Sequence, residues 1–220
     1  MMKTKAVVFD AYGTLFDVNS AAKRCKDKIG AKWETFANFW RTTQLEYTWL
    51  RSLMKRHKNF WDITEDSLDK SMEVFNINKN MKNELLNLYK ILSPYPEVKE
   101  VLEDLKKKNF KLAILSNGTL DLLNELVESN KLNNLFDDLF SIEEVKIYKP
   151  DPRVYEIPIK KYKIKSDEIT FLSANTWDVS GGGNFGYNSI WVNRHNSVFD
   201  ILDFQPKNEI SNLTQLLDIV

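Results

Sequence analysis

Apolar positions along the chain follow two rhythms. Residues 6–9 (Ala-Val-Val-Phe), 111–115 (Lys-Leu-Ala-Ile-Leu) and 169–172 (Ile-Thr-Phe-Leu) are short, nearly continuous apolar runs, and 190–192 (Ile-Trp-Val) forms a fourth. Runs without alternation predict parallel strands covered on both faces. Between them the period lengthens. Val98, Val101, Leu102 and Leu105 fall at i, i+3, i+4 and i+7, and Leu122, Leu123, Leu126 and Val127 make a second stripe. Each predicts an amphipathic helix. Strands alternating with helices predict an α/β fold, a Rossmann-like three-layer core around a parallel sheet.

Residues 18–95 break this alternation. Their pattern is helical throughout, with a long stretch over 33–57 carrying Phe36, Trp40, Leu50 and Met54. Ser93-Pro94-Tyr95-Pro96 then ends the helices. The simplest organisation is a core domain built from 1–17 and 96–220, interrupted after its first strand by a helical domain over 18–95.

Polar residues gather where the predicted strands end. Asp10, followed by Tyr12, Gly13 and Thr14, closes the first. Ser116-Asn117-Gly118 closes the next, and Ser173, Asn175, Trp177 and Asp178 follow the third. Parallel strands present their carboxyl ends along one edge, where ligands bind. Asp10, Thr14, Ser116, Asn117, Ser173, Asn175 and Asp178 are therefore expected to converge. Lys149 precedes Pro150-Asp151-Pro152, in which Asp151 reads as a helix N-cap and Pro152 as the first helical position. That helix can bring Lys149 to the same edge, with Tyr155 on its first turn.

Composition narrows the partners. The chain has 220 residues, with 31 basic and 31 acidic side chains and a formal net charge of zero. It lacks the basic surplus that non-specific nucleic-acid binding or a polybasic membrane anchor requires. No apolar stretch reaches the roughly 18 residues of a membrane span, and the N-terminus has no long apolar region, so the expectation is a cytoplasmic protein. Cys25 is the single cysteine, and His57 and His195 are the only histidines. A disulfide, a cysteine zinc cluster or a Ser-His-Asp triad has little to draw on. Gly181-Gly182-Gly183-Asn184-Phe185-Gly186 satisfies G-x-G-x-x-G, but it does not directly follow its strand and comes too late in the chain for a dinucleotide loop.

Asp10-x-Tyr12-Gly13-Thr14, Ser116-Asn117-Gly118, Lys149-Pro150-Asp151 and the late Asp178 match, in order, the four motifs of the haloacid dehalogenase superfamily. The resemblance covers nearly the whole chain, and the helical insertion resembles the cap domain of that superfamily. Phosphatases of the superfamily carry a second Asp two residues after the nucleophile, where Tyr12 stands here. Their late motif commonly carries two acidic residues that help hold magnesium; Ser173-Ala174-Asn175-Thr176-Trp177-Asp178 has one. Arg41 with the residues from Gln44 to Met54, and Ser173-x-Asn175-x-Trp177-Asp178, resemble the L-2-haloacid dehalogenases instead.

That resemblance implies a metal-independent hydrolase without a cofactor. Its substrate would be a small L-2-haloalkanoate, released as a D-2-hydroxyalkanoate and a halide, and the chain would form a homodimer. Asp10 would be the nucleophile, supported by Lys149. Ser116 and main-chain N–H groups near Tyr12 and Asn117 would bind the substrate carboxylate. Arg41 with Asn117 would receive the halide, and Leu45, Phe60 and Trp177 would wall the reacting carbon. Asp178 would activate water with Asn175 and Lys149, while Thr14 and Ser173 orient the carboxylates and Tyr155 supports Lys149 or Asp10. Arg41 and Lys149 would make a local cationic pocket beneath the neutral total. Two alternatives stay open: a superfamily phosphatase acting on a small phosphate ester, and a non-catalytic binding protein on the same scaffold. Thr42, Pro158 and the run Gly181 to Gly183 depart from the family pattern, and the glycines are expected to loosen the chain near Asp178.

Overall fold

Residues 4–220 are described in a computed structural model. After β1 (Ala6–Phe9) the chain enters a helical segment: α1 (Ser20–Arg24), α2 (Lys26–Ile29), α3 (Trp33–Leu53), α4 (Phe60–Val74) and α5 (Lys82–Lys90). It returns through α6 (Val98–Lys107) to β2 (Lys111–Ser116). There follow α7 (Leu120–Ser129), β3 (Asp138–Ser141), α8 (Pro152–Tyr162), β4 (Ile169–Ser173), α9 (Thr176–Phe185), β5 (Asn188–Val192) and β6 (Asn208–Ile210). Every strand pairing is parallel, and the sheet runs β3-β2-β1-β4-β5-β6.

Register explains why distant polar residues meet. Phe9 lies opposite Ile114 on one side and Leu172 on the other. Asp10 is therefore level with Ser173, and Ser116 stands one residue further out. β1 and β4 are buried along their whole length, so their continuous apolar runs were a clear signal. β3 (Asp-Leu-Phe-Ser) and β6 (Asn-Glu-Ile) were not predicted, because short strands at sheet edges need not be apolar on both faces. The long helix stops earlier than its pattern suggested. It ends at Leu53, Lys55 takes a left-handed φ of 55°, and Asn59 starts α4 by accepting from the Asp62 N–H at 2.8 Å.

The two chain crossings between sheet and helical segment run side by side. The Asp17 N–H donates to Ser93 O at 2.9 Å, and the Tyr95 N–H to Leu15 O at 3.0 Å. The expected cap of α8 is present, since Asp151 Oδ1 accepts from the Arg153 N–H at 3.0 Å. Pro158 lies inside that helix.

The glycine run, expected to loosen the chain near Asp178, is helical and closely packed. It lies within α9, and the missing side chains let that helix press onto its neighbours. A Cβ on Gly181 would come within 2.5 Å of the Tyr155 hydroxyl, and one on Gly183 would overlap the Phe204 ring. Thr42, the other departure, is exposed on α3.

Candidate active site

Asp10 follows β1 and is 5% exposed. Its two carboxylate oxygens have different surroundings. Oδ2 accepts from Thr14 Oγ1 at 3.0 Å, Ser173 Oγ at 3.2 Å and Asn175 Nδ2 at 2.8 Å. Among the described residues Oδ1 receives only the Lys149 ammonium, at 3.2 Å. The donors are aimed by backbone contacts: Thr14 Oγ1 accepts from the Ala174 N–H, Ser173 Oγ from the Asn175 N–H, and Asn175 Nδ2 also reaches Tyr12 O. Each hydroxyl that accepts a main-chain hydrogen bond has its own hydrogen left for the carboxylate.

Lys149 is fully buried between two carboxylates, with Asp178 Oδ2 at 2.8 Å on its other side. Its Nζ lies 5.1 Å from the centroid of the Phe171 ring. Burial alone would pull the ammonium down, but Asp10 and Asp178 hold it above the usual lysine range. Its main chain is anchored too: the Lys149 N–H donates to Asn117 Oδ1 at 3.1 Å, and Trp49 Nε1 donates to Lys149 O at 3.2 Å.

Asp178 stands on the first turn of α9 with no exposed surface. Burial pushes its carboxyl up to about 6 and Asp10 adds to the rise, against the pull of Lys149. Tyr155 donates to Asp178 Oδ1 at 2.7 Å. Tyr155 therefore supports Asp178, and neither Lys149 nor Asp10 as expected. Asn175 donates to Asp10, and among the described residues no hydrogen bond joins it to Asp178. The Tyr155 ring packs edge-on against Phe171 and Tyr187, and its backbone oxygen accepts from the Tyr187 hydroxyl. Burial and the Asp178 charge push the Tyr155 phenol well above the ordinary range, so it remains a donor.

The helical segment covers this edge with aromatic and polar groups. The Tyr12 ring lies 5.2 Å from Phe60 and 5.8 Å from Tyr89. Burial and then Tyr89 drive the Tyr12 phenol well up, so it holds its proton firmly. Ser116 Oγ accepts from the Gly118 N–H at 3.0 Å, which frees the hydroxyl hydrogen, and a Cβ at Gly118 would meet the Tyr12 hydroxyl at 2.9 Å. Ser116, Tyr12 and Asn117 thus share one side of the site. Leu45 and Trp177 are half-buried, and Trp177 meets Trp49 edge-on at 5.4 Å.

Arg41 is half-buried on α3. Its Nη1 donates to Gln44 Oε1 at 2.8 Å, and no hydrogen bond joins it to Asn117. Gln44 in turn donates to Thr64 Oγ1 at 2.6 Å and to the Tyr89 hydroxyl at 3.0 Å. Among the described residues no carboxylate pairs with Arg41, whereas Lys149 already faces two. The expected cationic pocket is therefore uneven: its uncompensated charge belongs to Arg41 alone. Gln44 and Tyr89 were not singled out from the sequence. Gln44 at i+3 from Arg41 carried a signal, since such pairs face each other on a helix. Tyr89 carried none, because only packing brings α5 to Tyr12. Among the described residues no group of three or more His, Cys, Asp and Glu side chains is arranged to hold a metal ion, and no helix is long and apolar enough to cross a membrane.

Comparison with known proteins gives a consistent result. A family model described as haloacid dehalogenase-like hydrolase matches residues 4–186. The chain is 39% identical over 215 residues to (S)-2-haloacid dehalogenase 4A of Burkholderia cepacia, covering 96% of this chain and 93% of that protein. It is 40% identical over 214 residues to (S)-2-haloacid dehalogenase 1 of Pseudomonas sp. strain CBS-3, covering 96% and 94%. Among solved structures, the L-2-haloacid dehalogenase of Xanthobacter autotrophicus with chloropropionic acid covalently bound superposes with a TM-score of 0.91. Its identity is 30%, with 98% of each chain covered.

Proposed function

The chain belongs to the haloacid dehalogenase-like hydrolase family, and on that premise we propose that it hydrolyses small L-2-haloalkanoic acids to D-2-hydroxyalkanoic acids through an ester on Asp10. The observation that carries this reading is the asymmetric carboxylate of Asp10, with three donors on Oδ2 and a lone ammonium on Oδ1.

Oδ1 retains lone pairs for attack. It displaces the halogen from C2 on the opposite side, and the halide departs with the bonding electron pair. A halide needs no proton, which suits a site whose phenols, Tyr12 and Tyr155, hold theirs so firmly. Ser116 and the amides near Tyr12 and Asn117 bind the substrate carboxylate, and Leu45, Phe60 and Trp177 keep water from the carbon. Arg41, whose charge no carboxylate cancels, receives the halide together with Asn117.

Water then attacks Cγ of the Asp10 ester. Asp178 accepts the proton of that water; its carboxyl, raised to about 6, suits a base working near neutral pH. The negative charge of the tetrahedral adduct develops on Oδ2, where Thr14, Ser173 and Asn175 already point. Breaking the Cγ–Oδ1 bond releases the hydroxyacid, which keeps Oδ1 as its hydroxyl oxygen and takes up the proton held by Asp178, and the water oxygen completes the restored carboxylate. Lys149, between Asp10 and Asp178, offsets charge in both steps. No step calls for a metal or cofactor.

Helices α1–α5 act as the cap in this reading. A homodimer is part of it as well: α3 leaves Leu50 and Leu53 exposed, with Met54 beyond its end, an apolar face that a second copy would cover. The decisive measurement is halide release from each enantiomer of 2-chloropropionate, with and without a chelator. Release from the L enantiomer, unaffected by chelator and lost in Asp10→Ala, is expected. No release from either enantiomer, or magnesium-dependent phosphate release from phosphate esters, would overturn the proposal.

A further inference from the structure

Arg194 follows β5, and nothing in its sequence context sets it apart. In the structure its side chain is 7% exposed and engages three partners. Nη2 donates to Thr14 O at 2.8 Å, Nη1 donates to Glu97 Oε1 at 2.7 Å, and the guanidinium lies 3.7 Å from the centroid of the Tyr95 ring. Thr14 belongs to the crossing that leaves the sheet for the helical segment; Tyr95 and Glu97 belong to the crossing that returns. One guanidinium thus grips both strands of the connection. Its Nε is buried without a partner among the described residues. That orphan donor marks a side chain placed for the two crossings rather than for its own hydrogen-bond count.

The grip reaches the reacting carboxylate in one further link. Thr14 Oγ1 donates to Asp10 Oδ2 at 3.0 Å and accepts from the Ala174 N–H at 2.8 Å. The main chain of Thr14 therefore sets where this hydroxyl points, and Arg194 holds that main chain by its carbonyl. We propose that Arg194 is a positioning residue, a clasp that fixes both crossings and so aims Thr14 at Asp10. The kinetic consequence rests on the dehalogenase reading; the mechanical one does not. Lysine cannot replace it, because only a planar fork can stack on Tyr95 while donating in two directions.

The test uses the whole protein with Arg194→Lys and Arg194→Met. Amide hydrogen exchange is expected to quicken at Asp17 and Tyr95 together, while the β1 amides stay protected. For halide release, Arg194→Lys is expected to lower kcat about tenfold with KM within about twofold, the pattern of a displaced catalytic group. In a Thr14→Val background the same change is expected to have no further effect. A merely structural arginine would give independent, multiplicative losses in that cycle, and that result would overturn the link through Thr14. Unchanged exchange at both crossings would overturn the clasp, whether or not the wild type releases halide. If the wild type releases none, the dehalogenase reading fails and exchange still decides the clasp. Should Arg194→Met not fold, Glu97→Ala removes one arm of the grip and is expected to quicken exchange at Tyr95.

Discussion

Two cations approach the site from opposite sides, and their surroundings differ. Lys149 comes from the sheet side, fully buried, with a carboxylate on each flank and its backbone tied to Asn117 and Trp49. Arg41 comes from the helical side, half-buried, bonded to the neutral amide of Gln44. A buried charge survives only if it is paired, and a paired charge has little attraction left for a newcomer. Lys149 is thus part of the framework of the protein, whereas the charge of Arg41 remains available to an anion. The site separates a cation that builds the nucleophile from a cation that can meet a ligand.

Breaking the framework cation should have the largest effect. Lys149→Met leaves Asp10 and Asp178 facing each other in a buried site. Activity is expected to fall by roughly a thousandfold, and stability by about 3–5 kcal/mol; urea unfolding reads the second. If stability is unchanged, Lys149 is not the framework charge described here.

Next comes the base that Lys149 steadies. Asp178→Asn should permit a burst of about one halide per site and then stall, with the Asp10 ester visible by mass spectrometry and turnover lower by about 10²–10⁴-fold. In the wild type the same group sets the pH dependence. The working form is the carboxylate, and the carboxyl is raised to about 6. Turnover should therefore fall about tenfold per pH unit below 6 and level off above it, while the halide burst does not follow. A burst and a steady rate falling together would remove Asp178 from the second step.

Removing the free cation sharpens the comparison. Arg41→Ala is expected to lower kcat/KM about 10- to 100-fold while shifting stability by no more than about 0.5 kcal/mol. A stability loss as large as that of Lys149→Met would erase the distinction between the two. The smallest effect on turnover is expected at Gly181→Ala, where the new Cβ presses on the Tyr155 hydroxyl that supports Asp178. Overpacking there should cost about 1–3 kcal/mol and slow ester hydrolysis more than halide release. A variant with unaltered thermal unfolding would mean that α9 can shift to accept the methyl group.

How far the chain could be read in advance followed from where its information lies. β1, β2 and β4 were legible because strands covered on both faces are apolar at nearly every position. The polar residues that close them were legible as a set, because parallel strands share one carboxyl edge; Asp10, Lys149, Ser173, Asn175 and Asp178 do meet there. β3 and β6 escaped, since an edge strand carries only half that signature. The long helical pattern overran Leu53 because apolar spacing continues through Met54, while the turn depends on the backbone at Lys55.

Pattern and strand order alone thus determined the sheet, the helical interruption and the list of side chains at the edge. They follow from periodicity and from the handed, parallel connection of strands, which act locally. Only the tertiary structure decided which atom faces which. It gave Tyr155 to Asp178 and Asn175 to Asp10, left Oδ1 of Asp10 with one donor and Oδ2 with three, and set Arg194 across both crossings. It also turned an apparently loosening glycine run into the close contact that seats α9 on Tyr155. Such contacts join residues up to 180 positions apart. Their geometry comes from how buried groups compete for the few partners within reach, which no local pattern records.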